Sequence, residues 1–112
     1  MSPRNSWFWT AERLRELVNI LKEDLAEQDD QGWYFGPQGL QMRTYFHLRD
    51  KEHTLADGSI TDALSALSFL GVIERGKGGK KEPGFKRRFY PEKVSEITEE
   101  AVNRFREYKA NL

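Results

Sequence analysis

Residues 59–90 read SITDALSALSFLGVIERGKGGKKEPGFKRRFY, and the order of features in this stretch decides the fold. Ile60, Ala63, Leu64, Leu67 and Leu70 recur at helical spacing and line one side of a helix from Ser59 to Leu70. Ser59 followed three residues later by Asp62 imitates a capping box, with Asp in place of the usual Glu or Gln. Gly71 suits the left-handed position that ends a helix. Val72–Arg75 then begins a strand, and Phe85–Tyr90 alternates aromatic and basic side chains at period two, as a returning strand does. The intervening GKGGKKEPG is too charged and too rich in glycine for a core.

Working outward towards the N-terminus, the turn EHTLADG precedes this helix. Before it a second helix is expected from Leu40 or Gln41 to about Lys51, with Met42, Tyr45, Phe46 and Leu48 or Arg49 on its apolar side. GWYFGPQGL carries three glycines and a proline around an aromatic triplet, so Trp33–Phe35 is read as a short strand in loop. Leu14, Leu17, Val18, Leu21 and Leu25 predict a first helix, capped by Thr10 and ending near Glu27 or Gln28, with Asp29–Asp30 and Gly32 closing it. Residues 1–9 are expected to be a tail. Trp7, Phe8 and Trp9 are nevertheless too apolar to float freely and are read as core, or as a lid over the end of the first helix. Towards the C-terminus, Ile97, Ala101, Val102, Phe105 and Tyr108 mark a closing helix within 95–112.

At 112 residues the chain is expected to fold as one domain (1–112) of the α+β class. Its 38% hydrophobic and 32% charged residues suit a globule. No apolar run approaches the roughly 20 residues that span a bilayer, and no signal-peptide pattern opens the chain, so a cytoplasmic protein without membrane contact is expected. The absence of cysteine excludes disulfides, zinc fingers and thiol chemistry. The net charge is zero, but its distribution is uneven. Residues 75–93 hold eight Lys/Arg against two Glu, whereas residues 1–74 hold seven basic against twelve acidic side chains. A local concentration of positive charge is what phosphate binding needs.

Helix, short strand, helix, helix, strand, basic loop, strand, helix resembles a winged helix-turn-helix domain. The residues that carry the likeness are LSALSFLGVIERGKGGKKEPGFKRRFY: a leucine-rich helix end, Gly71, the apolar pair Val72–Ile73, the charged Glu74–Arg75, and a return on Phe89–Tyr90. The resemblance implies a three-helix core with a β-hairpin wing and an additional C-terminal helix. It also implies a recognition helix over about 59–70 that presents Ser59, Thr61, Asp62, Ser65 and Ser68 to a duplex. Such helices often carry Arg, Lys, Asn or Gln to read base edges. This one offers hydroxyls and one carboxylate, so modest base discrimination is expected.

The wing is better supplied. Arg75, Lys77, Lys80, Lys81, Lys86, Arg87 and Arg88 lie within fourteen residues. If about five of them neutralise phosphates, binding should fall with a slope of about −4 to −5 in log K against log salt. Arg43 and Thr44, near the start of the second helix, are further candidates for backbone contact. The expected partner is double-stranded DNA, with RNA left open. The expected role is a small transcriptional regulator. A protein-interaction module docking an acidic partner and a replication or plasmid-maintenance factor are the rivals. The closing helix either completes the core or offers Val102, Phe105 and Tyr108 to a second copy, and a homodimer is the expectation.

No cofactor, metal site or catalytic group is expected. His47 and His53 lack metal-ligand spacing with each other or with nearby acids. Gly71–Lys77 matches the first part of a phosphate-binding loop, but Gly78 stands where Ser or Thr should bind magnesium, and a helix rather than a strand precedes it.

Overall fold

A computed structural model describes residues 7–37, 39–75 and 86–112. The architecture is α+β, with four α-helices and a small antiparallel sheet among the described residues.

Helix α1 (Ala11–Ile20) starts where Thr10 Oγ1 accepts the Arg13 N–H at 3.2 Å. It runs on through one π-helical turn, Leu21–Leu25, closed by the Ala26 N–H on the Leu21 carbonyl at 2.8 Å. The helix therefore stops short of Glu27, and the acidic segment expected to end it forms a hairpin instead. Strand β1 (Glu27–Asp29) pairs with β2 (Gly32–Phe35), Asp29 facing Gly32 across a two-residue turn. The turn has its own chemistry. Asp29 Oδ1 accepts the Gln31 N–H at 2.9 Å, and Gly32 sits at φ +124°, where a side chain would be strained.

Helix α2 (Leu40–Asp50) buries Leu40, Thr44 and Leu48. The expected apolar side holds only in part: Leu48 is buried and Tyr45 packs against the core, whereas Met42 and Phe46 are 53% and 50% exposed. Both stripes have i, i+4 spacing, so periodicity allows either one to face inward. The stripe containing the threonine is the buried one. A 3₁₀ turn, Thr54–Asp57, buries Leu55 and leads through Gly58 and Ser59 into α3 (Ile60–Phe69), with Ile60, Ala63, Ala66 and Leu67 in the core. Its C-terminus is a Schellman motif. The Val72 N–H reaches the Leu67 carbonyl at 2.9 Å, the Gly71 N–H reaches Ser68 at 3.1 Å, and Gly71 takes φ +83°.

The chain then runs antiparallel to β3 (Arg87–Phe89). Ile73 bridges Phe89, flanked by Glu74 N–H to Arg88 O at 2.9 Å and Tyr90 N–H to Val72 O at 2.8 Å. The expected strand Val72–Arg75 is thus a single bridge with two flanking bonds. Of the expected Phe85–Tyr90, Arg87–Phe89 is strand, Lys86 and Tyr90 are not, and Phe85 lies outside the described residues. On its other side β3 pairs with β2, Trp33 opposite Phe89 and Tyr34 opposite Arg88. The sheet order is β1-β2-β3. Phe35 and Phe89 meet on its inner face with centroids 4.8 Å apart, and both are buried.

After a 3₁₀ turn, Pro91–Glu96, Thr98 caps α4 (Glu99–Ala110), its Oγ1 accepting the Ala101 N–H at 3.1 Å. Ala101, Val102 and Phe105 are buried, so α4 packs back on the core. Two bonds tie its start to α1: the Ala11 N–H on Glu99 Oε2 at 3.2 Å, and Arg15 Nη1 on the Ile97 carbonyl at 2.6 Å. Val102 and Phe105 are consequently not available to a second copy, which corrects the dimer surface expected from the sequence.

The N-terminal tail is also corrected in part. Trp9 is core, its indole N–H donating to the Ser59 carbonyl at 2.7 Å, and Trp7 and Phe8 pack against the same cluster. Gly58 permits this approach: a Cβ there would overlap the Phe8 ring and stand 2.9 Å from Trp9 Cε2. Among the described residues no helix is long and apolar enough to cross a membrane.

Candidate nucleic-acid interface

The core side of α3 leaves an outer face made of Thr61 and Ser65, both exposed, with Ser68 half-buried beside them. Two other polar groups of this helix are engaged. Ser59 Oγ accepts the Asp62 N–H at 3.3 Å as N-cap, and the Asp62 carboxylate is paired with Lys109 of α4. Helix α4 flanks α3 on that side, Phe69 meeting Phe105 and Tyr108 with centroids 5.5 and 5.1 Å away. Asp62 is therefore tied to the core scaffold, while Thr61 and Ser65 form an open, small-residue surface that a duplex could approach closely.

Beside α3, the chain leaves at exposed Arg75 and returns at exposed Lys86, their flanking residues fastened by the Ile73–Phe89 bridge. Lys77, Lys80 and Lys81 fall between these ends and lie outside the described residues. Arg87 is half-buried at the end of β3, opposite Phe35.

Arg88 and Lys86 are not open cations. Arg88 Nη1 and Nη2 donate to Asp29 Oδ1 and Oδ2 at 2.9 and 3.0 Å, a two-pronged ion pair, and Nη2 also reaches Gln31 Oε1 at 3.1 Å. Lys86 Nζ donates to Asp29 Oδ2 at 3.2 Å and lies 4.1 Å from the Tyr34 ring centroid. The hydrogen bonds from Arg88 hold the Asp29 carboxyl well below the usual carboxylate range. Burial opposes this shift, while the Gln31 N–H and Lys86 reinforce it. The same pairing with Asp29 raises the Arg88 pKa.

A carboxylate with a lowered folded-state pKa stabilises the fold above its unfolded pKa, near about 4, and loses that contribution as pH falls through the folded value. Asp29→Asn should therefore melt below wild type at pH 7, and the gap should close progressively as both are acidified below about pH 4. Paired melting curves from pH 7 to pH 2 check this; a constant gap would refute it.

On α2, Arg43 is half-buried. Thr44 is 0% exposed and cannot touch a phosphate, which corrects its reading as a backbone contact. Its position is set by the i, i+4 stripe it shares with Leu40 and Leu48. Its Oγ1 is buried without a hydrogen-bond partner among the described residues. An unsatisfied buried hydroxyl costs about 1–3 kcal/mol. Thr44→Val should accordingly stabilise the fold by about 1 kcal/mol and leave duplex affinity unchanged; a lower melting temperature would show that the hydroxyl has a partner.

The groups missed from sequence are Asp29, Gln31 and Tyr34, which lie more than fifty residues from the cations they meet. The DDQG turn is the one signal that could have placed an acidic hairpin there. His47 and His53 each meet a carboxylate of the first helical segment, His47 Nε2 with Asp24 at 2.7 Å and His53 Nε2 with Glu16 at 3.1 Å. Both histidines thus fasten α2 and the turn after it to that segment. No family model, curated protein or solved structure matches the chain.

Proposed function

We propose that the chain is a winged-helix nucleic-acid-binding protein whose third helix and cationic hairpin share one duplex, with regulation of transcription as its role. The observation that carries this reading is the antiparallel fastening of Ile73 to Phe89. It brings Arg75 and Lys86, the two ends of the lysine-rich segment, together just beyond the C-terminus of α3. The placement of β2, which follows α1 in the chain and pairs with β3, is further support, since a winged helix draws its third strand from the same place.

In this arrangement Thr61 and Ser65 approach the groove, while Arg75, Arg87 and the lysines at 77, 80 and 81 neutralise phosphates. Contacts of the second kind give affinity without reading sequence. Arg75 and Arg87 have no carboxylate partner among the described residues. With Lys86 and Arg88 sharing Asp29, about four or five phosphates remain to be neutralised, which corresponds to a salt slope near −4. Fluorescence anisotropy with a random-sequence duplex at several salt concentrations tests this. Micromolar binding with that slope supports the proposal, and no binding at low salt refutes it. The rival, a protein-interaction module, is favoured by the exposed Met42 and Phe46 on α2, which nothing in a duplex would cover.

A further inference from the structure

We infer that Asp29 is a built-in competitor for nucleic-acid phosphate: in the free protein its carboxylate occupies Arg88 and Lys86, and a bound phosphate takes its place. This role presupposes the nucleic-acid reading of the hairpin and adds a means of setting its affinity.

The geometry is that of a phosphate site already filled. A carboxylate and a phosphate both present two oxygens to the fork of a guanidinium, so whatever satisfies one satisfies the other. Asp29 uses both of its oxygens on both terminal nitrogens of Arg88, and lends one of them to Lys86 as well. Tyr34 supports the cluster from β2, with its ring under Lys86 and its hydroxyl donating to Glu27 at 3.2 Å. Two cations share this one carboxylate, while Glu74 acts on Arg88 from nearby and Glu92 lines the same cleft.

The cluster is also within reach. Side-chain exposure is 20% for Arg88, 19% for Asp29 and 42% for Lys86. Arg88 lines a shallow cleft of about 150 Å³ together with Gln31, Gly32, Tyr90 and Glu92. Among the described residues nothing lies within 4 Å of the place a Gly32 Cβ would take, above the turn. Asp29 itself sits at the turn of the β1–β2 hairpin, on the edge strand of the sheet. It can move away from Arg88 without unpacking the Phe35–Phe89 contact on the opposite face.

The test compares wild type with Asp29→Asn by duplex anisotropy across salt concentrations, after a melting curve has confirmed that the variant is folded at the assay temperature. Asn keeps the shape and removes the charge. Asp29→Asn should bind about tenfold tighter at 50 mM salt with a slope close to that of wild type, because the same phosphate contact is made without a carboxylate to displace. Adding Arg88→Gln should remove most of that gain, whereas Arg88→Gln alone should change wild-type affinity little.

Equal or weaker binding by a folded Asp29→Asn, beside a wild type that binds, would overturn the competitor role and leave the proposed function standing. No binding by either protein would remove both. If Asp29→Asn does not fold, wild type alone carries the test through the Arg88 side-chain N–H resonances. A shift on duplex addition supports the exchange, and an unmoved signal while Arg75 and Lys86 amides shift overturns it.

Discussion

Trp9→Ala is expected to destabilise the protein by about 3–5 kcal/mol, the cost of deleting a large buried aromatic side chain. For a chain of this size each kcal/mol corresponds to roughly 4 °C, so the melting temperature should fall by about 12–20 °C. The reason lies in what Trp9 closes. Its ring is buried in the cluster that includes α1, α3 and α4, it meets Phe8 edge-on at 4.9 Å, and its N–H satisfies the Ser59 carbonyl at the entrance to α3. Truncation leaves a cavity and removes the hydrogen bond at the point where α3 begins. Trp7→Ala is the comparison, because that ring is only half-buried, 6.3 Å from Phe105. It should cost about 1–2 kcal/mol. A Trp9→Ala melt within about 3 °C of wild type would return residues 7–9 to the status of a tail.

The elements legible in the sequence are those where several local signals agree. For α3, the cap at Ser59, the apolar spacing and Gly71 all point to one helix, and it is found within a residue or so of the expected limits. The aromatic triplet at Trp33–Phe35 is a strand because glycine bounds it and its alternate residues face the core. Where two periodicities compete, sequence pattern alone fails. On α2 the stripes Met42/Phe46 and Leu40/Thr44/Leu48 both repeat every four residues, and only tertiary packing decides between them. The Glu27–Asp30 segment misleads for another reason. Acidic residues after an amphipathic helix resemble its frayed end, whereas the Asp29 side chain and the positive φ of Gly32 turn the chain into a hairpin.

The candidate site divides in the same way. Charge density is a one-dimensional property, so the cationic segment stands out in the chain without any structure. Whether each cation is available is a three-dimensional one. Asp29 meets Arg88 from 59 positions away, and no charge count along the chain anticipates that pairing. Lys109 reaches Asp62 in the same manner, 47 positions apart, and so removes the single carboxylate from the open face of α3.

That distinction sets the largest expected effect on binding. Lys77→Gln, Lys80→Gln and Lys81→Gln combined should flatten the salt slope by about 2.7, at roughly 0.9 per phosphate contact. Affinity at 50 mM salt should fall on the order of a hundredfold or more. The three lysines lie on the segment between Arg75 and Lys86, whose ends the sheet holds beside α3. A control removes the same charge elsewhere: Lys22→Gln, Lys51→Gln and Arg104→Gln. Lys22 is exposed near the Trp33 ring, Lys51 follows α2, and Arg104 is exposed on α4 beside Glu100. If overall charge governs association, both triple variants lose equally. If the lysine-rich segment is the phosphate site, the control keeps a slope close to that of wild type, while the Lys77, Lys80 and Lys81 variant retains only what Arg75, Arg87 and the Asp29-shared pair supply. The quantity to compare is the slope rather than affinity at one salt concentration, because the slope counts phosphate contacts and is insensitive to any change in base-edge contacts at Thr61 and Ser65. Equal slopes for wild type and the Lys77, Lys80 and Lys81 variant would place the phosphate contacts on another surface of the molecule.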